Sequence, residues 1–231
     1  MLYLIPIALA ENALQVVLPQ IKEVILQTDY YLVENIRTAR RFISSLQTGR
    51  KIDELQFFEL HKSTSQTELQ AHFSQIPKNA NIGIMSEAGC PAVADPGSLA
   101  VAFAHKNKMK VVPLVGASSI LLALMGSGFN GQHFAFLGYL AIDKAKRIKE
   151  IQELEKDLFS KRQTQIFIET PFRNNQVMAD LCATLTHDTQ ICVATNLTAE
   201  NEMIKTKTAA DWKKAMPELH KQPTVFVVGK S

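Results

Sequence analysis

Asn81-Ile-Gly-Ile-Met85, running directly into Ser86-Glu-Ala-Gly-Cys-Pro-Ala-Val-Ala-Asp-Pro-Gly97, is the stretch on which the reading of the chain turns. An apolar run of strand length opens into a loop with two prolines, two glycines and a series of small residues. Small side chains let backbone groups come close to a ligand, and in parallel α/β sheets ligands collect at the carboxyl ends of the strands. Taken alone, the loop reads equally well as an irregular connection stiffened by its prolines. What flanks it decides its meaning.

On either side, apolar β-rich runs recur at Leu2 to Ile7, Tyr30 to Val33, Phe57 to Leu60 and Val111 to Leu114, separated by segments with helical spacing. Ile21, Val24 and Ile25 form one apolar stripe, Ile36, Ala39, Ile43 and Leu46 a second, and Leu69, Phe73 and Ile76 a third. Repeated β-α-β of this kind predicts a mainly parallel, buried sheet. The glycine-dense Gly126-Ser-Gly128-Phe-Asn-Gly131 marks a hinge, so the expected division is an N-terminal α/β domain over 1–127 and a C-terminal α/β domain over 128–231. Beyond the hinge, strands are expected near His133 to Leu137, Gln165 to Ile168, Gln190 to Ala194, Met203 to Thr206 and Thr224 to Val228. Helices are expected at Lys144 to Phe159, Asn175 to Leu185 and Ala209 to Met216. The two strands near 190 to 206 have no helix between them, which implies an antiparallel pair and a mixed second sheet.

Bulk properties agree with this plan and exclude several classes. The chain has 231 residues, 46% of them apolar and 20% charged, the profile of an ordinary globular protein that can bury a core. A net charge of +3 permits an anionic partner but falls short of the basic excess that announces a nucleic-acid-binding domain. Cys90, Cys182 and Cys192 are odd in number and lack C-x-x-C spacing, which argues against a disulfide framework or zinc cluster and for a reducing, cytoplasmic location. No metal site is expected. The apolar start Met1 to Ala10 carries no Lys or Arg, is short and is interrupted by Pro6, so it reads as a buried first strand rather than a signal sequence. The apolar run Ala117 to Met125 is far shorter than the roughly 20 residues that span a bilayer, and no membrane association is expected.

Two more strand-end loops stand out. Pro113-Leu-Val-Gly-Ala-Ser-Ser119 places a hydroxyl pair at the start of an apolar helix, where capping by Ser118 is the plainer reading. Glu169-Thr-Pro-Phe-Arg173 lies between a strand and a helix and reads as a turn with a cap. No G-x-G-x-x-G follows the first strand, and no Walker loop, G-x-S-x-G elbow or H-E-x-x-H is present.

The three loops, in this order and between these strands, resemble the tetrapyrrole methylase superfamily, and within it the branch of ribosomal RNA small subunit methyltransferase I. Four further segments carry the resemblance: Ile5-Pro6, Val33-Glu-Asn-Ile-Arg-Thr-Ala-Arg-Arg41, Val111-Val-Pro-Leu-Val-Gly116 and Asn196-Leu-Thr-Ala-Glu200. The resemblance implies two α/β domains with S-adenosylmethionine in the cleft between them, and a homodimer. By position it assigns donor contacts to Pro6, Gly89, Cys90, Pro91, Val93, Ser118, Ser119, Phe172, Leu197, Pro223 and Thr224. Some segments depart from it. The P-x-P-I-G-N of the ribosomal branch reads Pro6-Ile-Ala-Leu-Ala-Glu11, its Glu-Asp-Thr-Arg reads Glu34-Asn35-Ile36-Arg37, and the Gly-Asp-Pro of tetrapyrrole-modifying relatives reads Gly89-Cys90-Pro91. These departures bear on substrate more than on donor.

Methyl transfer from a sulfonium is an in-line displacement, so the main task of the protein is positioning. If the acceptor is a ribose 2′-hydroxyl of small-subunit ribosomal RNA, a base within hydrogen-bond reach helps its proton leave. Glu34, Glu87, Asp95 and His61 are the candidates by placement, although each also reads as a loop-fixing or solvated residue. Arg37, Arg40 and Arg41, opposite the apolar stripe of their helix, are the candidate RNA phosphate partners, with a solvated basic face as the alternative. Lys144, Lys146 and Arg147 are expected to extend that surface. Trp212 reads as core or dimer contact, and Cys90 as a small residue lining a pocket. Alternatives are the same donor chemistry on a small-molecule or protein acceptor, or a donor-binding module without catalysis.

Overall fold

The computed structural model describes residues 1–230. They form two compact units, Met1–Ser118 and a second from Ser119 onward.

In the first unit β1 (Leu2–Leu4), α1 (Pro19–Leu26), β2 (Tyr30–Val33), α2 (Ile36–Ser45), β3 (Gln56–Glu59), α3 (Gln66–Ser74), β4 (Ile82–Met85), α4 (Gly97–Lys106) and β5 (Val111–Pro113) alternate as the hydrophobic pattern predicts. The strands make one all-parallel sheet in the order β3-β2-β4-β1-β5. Because strand side chains alternate between faces, this sheet builds two cores. Tyr3, Ile5, Tyr31 and Val33 pack with Ile21 and Ile25 of α1 and with Ala39 and Ile43 of α2. Leu2, Leu32, Ile82 and Ile84 pack with Leu69 of α3 and with Ala100 and Ala104 of α4. β1 is a central strand, with Leu2 and Ile5 fully buried. Local signals also fix the helix starts. Asn35 caps α2 by accepting from Thr38 N at 3.1 Å, and Ser65 with Glu68 forms a capping box on α3.

This winding creates a switch point. The chain leaves β1 through α1 on one face and leaves β4 through α4 on the other, although β1 and β4 are neighbours. The loops after this pair meet outside the carboxyl ends of the two strands, the position that ligands favour in such sheets. Residues 5–11 and 86–97 border it.

The second unit contains α5 (Ser119–Ser127), β6 (Phe134–Tyr139), α6 (Lys144–Lys161), β7 (Thr164–Ile168), α7 (Asn174–Thr184), β8 (Gln190–Thr195), β9 (Met203–Thr208), α8 (Ala209–Lys214) and β10 (Thr224–Gly229). Its sheet, β6-β7-β10-β8-β9, is mixed. β6 and β7 are parallel and the other pairs antiparallel, including the expected β8–β9 pair. One face carries Phe167, Ile191, Val193 and Phe226 against Ile151 and Leu154 of α6, Val177 and Leu181 of α7, and Trp212 of α8. Trp212 is core, its Nε1 donating to Ile191 O at 2.8 Å. On the opposite face lies α5, whose Gly126 sits against Ile204 of β9.

The division between units thus falls at Ser118/Ser119 rather than at 127. The cause is α5, whose Ala123 and Leu124 are buried and which packs on β8, β9 and β10. The glycine-dense stretch is a turn within the second unit. Arg147 is not part of a basic surface. It is fully buried, with Nε and Nη2 on Asp180 at 2.9 and 2.7 Å and Nη1 on the carbonyls of Ala141 and Ile142. No helix among the described residues is long and apolar enough to cross a membrane, and no group of three or more His, Cys, Asp or Glu there is placed to hold a metal ion.

Candidate functional site

At the switch point three loops lock together. Ile7 N donates to Gly89 O at 3.0 Å, forming an antiparallel bridge between the loop after β1 and the loop after β4. Cys90 Sγ donates to Ala117 O at 3.3 Å, joining the loop after β5. Glycine is required twice. Gly89 has φ +69°, and a Cβ there would lie 2.9 Å from Leu9 Cδ2. A Cβ on Gly116 would lie 2.2 Å from Pro6 Cβ, because the Pro6 ring rests on that glycine. Pro6, Gly89, Cys90 and Pro91 are thus neighbours at one sheet edge.

The loop beyond them is held in an uncommon conformation. Ala92 (φ +67°) and Ala94 (φ +62°) are both left-handed, with Val93 between them, half exposed. Left-handed non-glycine residues cost about 1–2 kcal/mol each and persist where surroundings enforce them. Asp95 does the enforcing, its Oδ1 accepting from Ala92 N and Gly97 N at 2.8 Å each. Asp95 Oδ2 is buried without a hydrogen-bond partner.

The second unit repeats this construction. β10 runs antiparallel to β7 and β8, with Val225 opposite Ile168 and Thr224 opposite Thr195, so its start lies beside their carboxyl ends. Asn196 N donates to Pro223 O at 2.9 Å, Lys221 N to Pro171 O at 3.0 Å, and Thr224 Oγ1 to Gln222 O at 2.9 Å. Phe172, Leu197, Pro223 and Thr224 accordingly gather at one edge. Phe172 is 68% exposed, an apolar ring in solvent, and meets His220 edge-on at 5.8 Å. Leu197 is flanked by Asn196 (φ +51°) and Thr198 (φ +73°). A β-branched residue at positive φ is an outlier, and Thr198 Oγ1 is buried and unpartnered. Val93 and Leu197, each assigned to the donor on resemblance, are therefore each set between two left-handed residues. Ser118 closes the first unit and Ser119 opens α5 in the second.

The sequence reading passed over three polar groups at this second edge. Glu169, taken for a turn residue, has a buried side chain whose Oε1 accepts from Thr170 N at 2.7 Å; Arg173 Nη2 stands 3.1 Å from Oε2 without hydrogen-bond alignment. Asn174 is fully buried and donates to Gln222 O at 2.6 Å, leaving Oδ1 unpartnered. Thr198 is the third. In sequence the position of Glu169-Thr-Pro-Phe-Arg173 after a strand signals the first two, and Asn196-Leu-Thr-Ala-Glu200 contains the third.

The acid–base candidates gather at the carboxyl edge of β3, β2 and β4. Val33 pairs with Glu59 and with Met85, which sets Glu34, His61 and Glu87 on adjacent strand ends. Burial pushes the Glu34 carboxyl above its ordinary range, the charges of Glu87 and Asp95 push it further, and Lys62 and His61 oppose. Burial likewise raises Asp95 against the pull of its two backbone donors. His61 Nε2 faces Glu59 at 3.4 Å. Burial raises the Cys90 thiol too, the opposite of an activated nucleophile.

Of the three arginines on α2, two already have partners. Arg40 is paired with Asp53, and Arg41 with Glu11 of the first loop at 2.9 Å. Arg37 is exposed and has no acidic partner among the described residues.

No family model matches the chain. Among known proteins it is similar to ribosomal RNA small subunit methyltransferase I of Vibrio cholerae, 27% identical over 183 residues covering 79% of this chain and 60% of that protein. The protein of the same name from Haemophilus influenzae is 31% identical over 176 residues, 74% of this chain and 60% of the relative. The chain thus spans about three fifths of the length of the curated relatives it matches. Its fold is similar to the crystal structure of the methyltransferase CobJ, TM-score 0.65 at 14% identity over 100% of this chain and 94% of that one. It is similar also to the cobalt precorrin-4 methyltransferase CbiF, TM-score 0.63 at 14% identity over 99% and 94%. The sequence relatives bear the name of the branch that the three strand-end loops resemble, and the chain shares its fold with the two methyltransferases.

Proposed function

We propose that this chain binds S-adenosylmethionine and transfers its methyl group to a ribose 2′-hydroxyl of small-subunit ribosomal RNA. The observation that carries the reading is the paired construction around Val93 and Leu197, two donor-assigned residues each held between left-handed neighbours at a strand-end edge. The residues present suit the donor. Its ammonium and adenine amine are hydrogen-bond donors, and Asp95 Oδ2, Asn174 Oδ1 and Thr198 Oγ1 are buried acceptors without protein partners. Phe172 and Val93 offer exposed apolar surface for a flat base or an aliphatic chain. The acceptor reading draws on the relatives, which are named for small-subunit ribosomal RNA.

The bound donor supplies an electrophilic methyl carbon on a sulfonium. The protein orients and desolvates: the rigid loops of Gly89 to Gly97 and Asn196 to Thr198 present backbone groups at fixed positions. Glu34 takes the hydroxyl proton in this scheme, its raised proton affinity bringing it nearer the working pH. Arg37 meets an RNA phosphate. The pairing of Arg40 and Arg41 with acids favours one competing reading, a small-molecule acceptor, by reducing the free charge on α2.

Titration calorimetry with S-adenosylhomocysteine tests the donor assignment. Micromolar binding is expected, with loss of at least about tenfold in Ser119→Leu if that position faces the ligand, a loss equivalent to about 1.4 kcal/mol. No heat at millimolar ligand refutes the reading.

A further inference from the structure

The second sheet has a cavity at the edge opposite Glu169. Thr164 begins β7, and Lys230 follows Gly229 at the end of the antiparallel β10, so both stand at the end of the sheet remote from the cluster of Phe172, Leu197 and Thr224. Between them opens a pocket of about 380 Å³ lined by Asn130, Leu158, Phe159, Arg162, Thr164 and Lys230. That volume lies within the roughly 300–1,000 Å³ of small-molecule sites.

Its wall has a one-sided chemistry. Arg162 and Lys230 are exposed cations, and no Asp or Glu lines the pocket among the described residues. Asn130 Oδ1 already accepts from Gln132 N at 2.9 Å, and Thr164 Oγ1 donates to Asn130 O at 2.9 Å. The Asn130 amide NH2 and the two cations present donors to the pocket. Beside them Phe159 is 48% exposed, with Lys230 Nζ 5.8 Å from its ring centroid, so a flat apolar surface and a positive charge face the same volume. Arg162 ends α6 with a left-handed backbone, φ +52°. An anion next to an aromatic ring is the signature of a nucleotide.

We propose that this pocket binds one nucleotide of a single-stranded RNA segment, its phosphate on Arg162 and Lys230 and its base against Phe159. It is a second RNA contact, distinct from α2, and it rests on the functional reading above only for the choice of polymer.

Fluorescence anisotropy with a labelled oligoadenylate of about 12 nucleotides, long enough for an ordinary single-strand site, provides the test. Arg162→Gly suits the positive φ and is combined with Lys230→Gln. The double variant should bind about tenfold more weakly, and the slope of log affinity against log salt should fall by about 1.4, two contacts at about 0.7 each. Phe159→Leu should weaken binding about tenfold with the slope unchanged, because stacking releases no counterions. Equal affinity and slope in a double variant that melts like the wild type overturns the proposal. Adenosine monophosphate binding as tightly as the oligomer overturns it too, by assigning the pocket to a free nucleotide. Affinity for S-adenosylhomocysteine stays unchanged in all three proteins. Failure of the donor reading leaves the oligomer result intact, so the two fail separately.

Discussion

Glu34 joins the stability of the fold to the chemistry proposed for it. Its carboxyl is raised above the ordinary 4.5 by burial and by Glu87 and Asp95. The folded state therefore holds the proton more tightly than the unfolded chain. The resulting stabilisation is complete below the unfolded value and is lost as pH rises through the folded one. Gln at this position stays neutral throughout. Glu34→Gln should melt at a higher temperature than wild type at pH 7 to 8, and the difference should vanish below about pH 4. If Glu34 also accepts the 2′-hydroxyl proton, the same variant loses about 10²–10⁴ in kcat. A variant that is more stable and slower supports both roles; one that is less stable at pH 8 contradicts the electrostatic account. Glu34, His61 and Glu87 stand on adjacent strand ends because they follow paired parallel strands. It gave no sign that Asp95 spends one oxygen on Ala92 N and Gly97 N and leaves the other bare.

At the scale of elements, α2 and the α6–α7 pair show how much a helical pattern leaves open. The stripe of Ala39 and Ile43 and the cap Asn35 are legible from spacing and residue type. The pairing of Arg41 with Glu11 and of Arg40 with Asp53 is not, because it depends on loops distant in sequence. It changes the expectation for RNA. Arg37→Ala should lower the salt slope by about 0.7 to 0.9, whereas Arg40→Ala should change it less, since Asp53 already competes for that charge. Filter binding to small ribosomal subunits across a salt series would falsify this if Arg40→Ala proved the more damaging. On α6, Arg147 appears in sequence as one more cation in a charged helix, yet it is fully buried. Asp180→Ala strands that charge and should destabilise by about 3–5 kcal/mol in urea unfolding, while Arg147→Met with Asp180→Leu should be milder. Equal losses in the two variants would show that packing, not charge, decides the site.

For the whole molecule, the succession of strands and helices along the chain and the kind of each sheet follow from periodicity, because buried parallel strands are apolar throughout and the β8–β9 pair lacks a helix. The allegiance of α5 does not follow. Its sequence is apolar all round, so no stripe says which sheet it covers, and its packing on β8, β9 and β10 assigns it to the second unit. The same limit applies to the residues proposed for the donor. Their loops were found by position after strands, but the left-handed pairs around Val93 and Leu197 contain Ala, Asn and Thr rather than glycine and were invisible.

The central claim is tested most directly by transfer of labelled methyl from S-adenosylmethionine to small ribosomal subunits taken from cells that lack this gene. The account predicts label in the RNA, recovered after alkaline hydrolysis as a dinucleotide, because a 2′-O-methyl group blocks cleavage at that linkage. Label in ribosomal protein alone, or none with the donor demonstrably bound, contradicts it.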